Sequence, residues 1–294
     1  MPAAALESLL DALLYEGYAL YPYTDVSAKN ATPTPFGIVY PPDYARHTQS
    51  AHDRLRLQGI AEAPAGARVQ AEVRLLLPAP EGGHRAEATR LQTLSGSIDG
   101  LAVAGRFETF DLNGTLGRMR LSAERLHPGI WRVSVCVHNA TPVDGAALDR
   151  PSALRRSLLS THPILRIDGG RFVSPLERDG LLGAAVAGCE SVNTYPVLAT
   201  DEDDVLVGAT IALPDHPRLA PESRGNLFDG TEIEEALVLH VMALSDGERE
   251  QVAAGDPAIR AMIERTAAAT PEDLLRLHGR TVLSDPFPDA GGRP

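Results

Sequence analysis

The period of the hydrophobic pattern changes partway along the chain, and this restricts the fold more than any other feature. From about residue 66 apolar residues recur at every second position. Val69, Ala71, Val73, Leu75 and Leu77 alternate with Gln70, Glu72 and Arg74. The same period sets Met119, Leu121 and Ala123 against Arg118, Arg120 and Ser122, and it returns in Trp131, Val133, Val135 and Val137. Successive side chains of a strand point to opposite faces, so the pattern predicts strands with one buried face. Asn113-Gly114 lies between two strand-like runs. That dipeptide suits a two-residue hairpin turn, in which both residues take positive φ. His127-Pro128-Gly129 marks another turn. Short strands joined by turns predict an antiparallel sheet or sandwich over residues 50–146.

The flanking regions follow other rules. Leu6, Leu9, Leu10, Leu13 and Leu14 recur at three- and four-residue steps, which predicts a helix over 3–17 with Gly17 as its stop. Pro22, Pro33, Pro35, Pro41 and Pro42 then exclude regular helix. Region 1–49 is therefore expected to be a helix followed by an extended tyrosine- and proline-rich arm. Past the sheet, a helix at about 150–159 leads into region 147–282, with short strands near 170–175, 194–199 and 204–213. The rest of that region is punctuated as helices. Asp229 with Glu232 and Ser245 with Glu248 form capping pairs, and Asp256-Pro257 and Thr270-Pro271 place a cap before a first-turn proline. Ile233, Leu237, Val241 and Leu244 make an apolar stripe. Residues 283–294 form a tail. The expected class is α+β: an antiparallel β-sheet or sandwich domain with an N-terminal helix and a mixed, mainly helical C-terminal half.

Charge narrows the partners. A net charge of −12 over 294 residues repels a phosphate backbone, so nucleic acid is not an expected partner. No apolar run reaches the ~18–20 residues that span a bilayer, and the start carries Glu7 and Asp11 in place of a basic leader. Cys136 and Cys189 have no CxxC spacing and are expected to be reduced thiols. These features predict a cytoplasmic chain that spans no membrane.

Candidate chemistry is sparse. No G-x-S-x-G, phosphate loop, dinucleotide fingerprint or H-E-x-x-H occurs. The densest polar cluster, 214–235, holds Asp215, His216, Glu222 and Arg224, a set able to act as an acid–base pair, to bind a divalent metal or to orient a substrate carboxylate. Its prolines 214, 217 and 221 equally describe a stiff connecting loop. Cys136 and His138, two apart on a predicted strand, share the face opposite Val135, where they would be half of a zinc site or a nucleophile–base pair, or simply the polar side of a sheet. No further ligands stand at metal spacing, so no metal and no cofactor are expected. Lys29, the sole lysine, has no partner group in view, and GLLGAAVAGC at 180–189 is read as a closely packed helix or loop. Six of the seven tyrosines fall within the first 44 residues. Tyrosine combines contact area with a hydroxyl, so Tyr18, Tyr21, Tyr23 and Tyr40 are candidate partner-binding residues; the alternative is that they pin the arm to its own domain.

Two stretches, LLYEGYALYPY at 13–23 and APESRGNLFDGTEIEEALVLHVMALSDGE at 220–248, resemble segments of an uncharacterised bacterial family associated with gene clusters for nickel–iron hydrogenases. WRVSVCVHNATP at 131–142 and NTYPVL at 193–198 fit the same pattern. The resemblance assigns no catalytic residue. It implies an accessory, maturation or assembly protein that binds a partner protein, such as a metalloenzyme subunit, and is not itself an enzyme. The competing expectation is a metal- or carboxylate-dependent hydrolase with its site in 215–232.

Overall fold

The computed structural model describes residues 6–11, 13–14, 37–78, 87–143 and 148–217, together with Glu264 and Ala268. Helix α1 covers the described residues among 6–14. Short helices follow at Pro42–His47 (α2), Ile98–Ala104 (α3), Arg150–Leu154 (α4) and Gly180–Ala187 (α5). Eleven strands carry the described architecture: β1 (Arg54–Glu62), β2 (Arg68–Leu77), β3 (Glu87–Arg90), β4 (Leu94–Ser97), β5 (Arg106–Leu112), β6 (Thr115–His127), β7 (Ile130–Asn139), β8 (Leu159–Asp168), β9 (Arg171–Phe172), β10 (Tyr195–Leu198) and β11 (Val205–Ala209).

All the pairings are antiparallel, and they build two sheets. The first runs β5-β6-β7-β1-β9; the second runs β10-β11-β8-β2-β3, with β4 also on β2. The alternation along β2, β6 and β7 is what places their apolar sides inward. Leu55 and Leu57 of β1, Met119 and Leu121 of β6 and the three valines of β7 meet Val69, Val73, Leu165 and Leu206 of the second sheet in one core. Gly59 permits the close approach: a Cβ there would stand 2.3 Å from a Leu206 methyl. The β5–β6 hairpin turns at Asn113-Gly114 with φ of 53° and 85°, as the dipeptide requires. Val73 and Val135 point inward as their alternation predicts.

The expected α+β class, with a mixed, mainly helical C-terminal half, is overturned. The described residues are mainly antiparallel strand, and 148–217 contributes β8 to β11 with only the short α4 and α5. The principal omission was β8, the central strand of the second sheet. It is buried on both faces from Leu159 to Leu165, so it shows no alternation, and Pro163 disguises it further. The helix expected over 150–159 stops at Leu154, and the chain enters β8 five residues later. β8 pairs with β2 from Arg68↔Asp168 to Leu76↔Leu159, one sheet thereby joining residues on both sides of position 147. The helices expected after residue 218, with their caps, lie outside the described residues.

Helix α1 lies across the outer face of the second sheet. Leu6, Leu9, Leu10 and Leu13 pack on Ile164, Val197, Val205, Val207 and Ala209. Arg74, which alternation places on the outer side, is therefore 2% exposed. It donates two hydrogen bonds to Glu7 of α1 (2.9 and 2.8 Å) and one to Glu72 (2.8 Å). Among the described residues no helix is long and apolar enough to cross a membrane.

Candidate functional site

Among the described residues no helix lies along the outer face of the first sheet as α1 does on the second; α5 and the segment 189–192 cover its β1 side and reach Arg132 of β7, leaving the β5–β6 side uncovered. Register fixes what it displays, because directly paired residues of an antiparallel ladder share a face. One row reads Arg54 (β1), His138 (β7), Arg118 (β6) and Thr109 (β5). The next reads Arg56, Cys136, Arg120 and Phe107. The Cα atoms of four arginines thus stand at the corners of a rectangle, about 7 Å apart along a strand and about 10 Å apart across β7. Cys136 and His138 occupy its centre, with Cys136 Sγ 3.2 Å from His138 Nε2.

The charges at this rectangle are unevenly met. Arg56 pairs with Glu190, its Nη2 2.6 Å from Oε2, and its Nε donates to the Glu190 carbonyl at 2.9 Å. Arg54, Arg118 and Arg120 are exposed and close no salt bridge among the described residues. Beside Arg120, Phe107 is 78% exposed. Asp53, just before β1, offsets the positive field in part. Burial pushes the Cys136 thiol above its usual value even though Arg56, Arg54 and Arg118 pull it down. Burial, followed by Arg118, holds His138 below the usual imidazole range. At neutral pH the pair is therefore thiol and neutral imidazole, not the thiolate–imidazolium of an activated nucleophile. Guanidinium neighbours also oppose a cation there, and no group of three or more His, Cys, Asp and Glu able to hold a metal occurs among the described residues.

Of the residues expected to be catalytic, Asp215 and His216 are described, and each is engaged by a different partner. Asp215 accepts hydrogen bonds from Ser174 Oγ and from the Leu198 backbone N–H at 3.0 Å. His216 turns the other way, with a φ of 54° and Nε2 2.8 Å from Asp203 Oδ1. Both side chains fasten the end of β10 and the turn before β11. Glu222 and Arg224 lie outside the described residues, as do Tyr18, Tyr21, Tyr23 and Lys29. Tyr40 is 2% exposed, its ring centroid 4.9 Å from that of Tyr44 at a tilt of 33° and its backbone N–H on the His52 carbonyl, the geometry of the alternative in which a tyrosine pins the chain to its own domain.

A second polar group escaped the sequence entirely. Ser160 sits at a bulge in β8 with φ of 43°, and its hydroxyl donates to the Leu14 carbonyl at 2.7 Å. His162 Nε2 lies 3.2 Å from both Ser160 Oγ and the Leu13 carbonyl, and Nδ1 lies 3.0 Å from the Gly208 carbonyl. Burial pushes the His162 pKa down to about 4. This serine–histidine pair is sealed beneath α1, whose C-terminal carbonyls it binds. It fastens the helix.

Half of the arginine rectangle is legible in the sequence: Arg118 and Arg120 stand in the alternation that predicts β6, whereas β1 is not among the expected strands. Its own alternation, Arg54-Leu55-Arg56-Leu57, was the available signal. No model of a known protein family and no curated protein matches the chain. The described residues define an antiparallel β-sandwich in which α1 covers the outer face of one sheet and no helix lies along that of the other.

Proposed function

We propose that this chain is a cytoplasmic, non-catalytic accessory protein that binds a partner protein on the open face of its first sheet. The observation that carries the reading is the contrast on that face: an exposed phenylalanine beside arginines that close no salt bridge among the described residues, on a sheet whose counterpart is covered by α1. Exposed aromatic and arginine side chains are the types that dominate interface energetics. Two free cysteines agree with a reducing compartment. The resemblance to hydrogenase-associated segments makes a nickel–iron hydrogenase subunit the first partner to seek.

The test is affinity capture of the tagged chain from its native host, with metal analysis of the purified protein. A specific co-purifying protein without stoichiometric metal is the expected result. Stoichiometric metal without a partner would replace this reading with the hydrolase.

A further inference from the structure

The geometry points to an extended acidic protein segment, with carboxylates at alternate positions, as the ligand of the rectangle formed by Arg54, Arg56, Arg118 and Arg120. This inference rests on the binding-protein reading and specifies the chemistry of the partner. The arginines repeat every second residue on β1 and on β6, so their spacing along each strand is that of side chains on one face of an extended chain. A carboxylate meets a guanidinium through paired, charge-assisted hydrogen bonds, and three of the four arginines close no salt bridge among the described residues. Neutral His138 and Cys136 between the two columns add polar contacts without adding charge.

The molecule supplies an internal precedent. Segment 190–192 bridges to the outer edge of β1, where Arg56 and Val192 exchange backbone hydrogen bonds of 3.0 and 2.8 Å, and Gln58 Oε1 accepts from the Glu190 N–H at 2.7 Å. From there Glu190 closes its salt bridge with Arg56. A glutamate carried on a strand-paired segment thus already occupies one corner, and among the described residues the other three arginines close no salt bridge. A nucleic acid fits less well. Single strands are held by successive stacked aromatic side chains, whereas this face offers Phe107 alone among the described residues, and a chain of net charge −12 repels a long polyanion beyond the rectangle.

The test uses the full chain and a labelled peptide with glutamate at every second position, alongside a peptide of the same composition with its glutamates in one block and a single-stranded RNA. The alternating peptide should bind saturably, more tightly than the block peptide, and more weakly as salt rises. The R118A/R120A variant should lose roughly tenfold or more in affinity with unchanged melting, since both side chains are exposed. Absence of saturable peptide binding, equal binding by the variant, or tighter binding of RNA would overturn the inference. Host capture separates the two claims. A partner still captured by R118A/R120A removes the arginine site and leaves the accessory reading standing. Peptide binding that is lost in the variant, with no partner captured from the host, does the reverse.

Discussion

The two outer faces of this sandwich are built by the same alternation and end in opposite states. Around β8, β10 and β11 the outward positions of the second sheet are Ile164, Val197, Val205, Val207 and Ala209, and α1 covers them with leucines. Outward positions of the first sheet are mainly polar: Arg54, Arg118 and Arg120 are exposed, while Arg56, Gln58, Ser134, Cys136 and His138 are half-buried. Burying a leucine or valine side chain gains ~1.5–3 kcal/mol, which is enough to recruit a helix. Burying an unpaired guanidinium costs more than a helix could return. Outward-facing residues therefore decide which face is structural and which is available. Arg74 marks the boundary case: it is an arginine on the covered face, accepted there because α1 brings Glu7 to meet it.

Four experiments test that contrast, in descending order of effect. Val135→Asp puts a charge into the core both sheets share and should cost more than ~4 kcal/mol, read as loss of cooperative melting. Unchanged melting would mean that β7 is in the wrong register. On the covered face, Leu10→Ala should cost about 3 kcal/mol in a urea melt, as for other buried leucines. A cost under ~0.5 kcal/mol would mean that α1 does not seal the sheet.

Acid should loosen the same helix. Unfolded histidine titrates near ~6.5, whereas burial holds His162 at about 4, so the unfolded chain takes up the proton first. The stabilisation is complete above pH ~6.5 and is lost as pH falls toward about 4, up to roughly 3 kcal/mol. The loss between pH 6.5 and 5 should vanish in His162→Gln, a comparison made above most carboxylate titrations. A wild-type slope retained in that variant would assign the effect elsewhere. On the open face, Phe107→Ser should change stability by less than ~0.5 kcal/mol. A larger loss in differential scanning calorimetry would show that the residue serves the fold.

An element with one face toward solvent carries a periodic signal, although β1, whose Arg54 and Arg56 alternate with Leu55 and Leu57, carries one too and is not among the expected strands. The leucine stripe of α1, the alternation of β2, β6 and β7 and the Asn113-Gly114 hairpin were all legible for that reason. β8 was not, because burial on both sides erases the contrast that periodicity measures, and its expected replacement by helix produced the wrong class. The arginine rectangle was hidden differently. Its two columns lie on β1 and β6, joined only through β7, and a ladder between residues about eighty positions apart leaves no local trace. Ser160 and His162 were invisible for the same reason, since their partners are backbone carbonyls of α1 and β11.

The order of synthesis runs against the order of packing. Helix α1 leaves the ribosome well before the strands it covers, β8, β10 and β11, which end at Ala209. At about 5–20 residues per second, those roughly 200 residues take on the order of 10–40 s to translate. For that interval the nascent chain carries an amphipathic helix with no surface to land on, and β2 waits for β8 as an unpaired edge. Long-range pairing of this kind folds slowly and exposes apolar segments to aggregation. The leucines that stabilise the finished protein are thus the segment a chaperone would meet first, and slowing translation would lengthen that exposure.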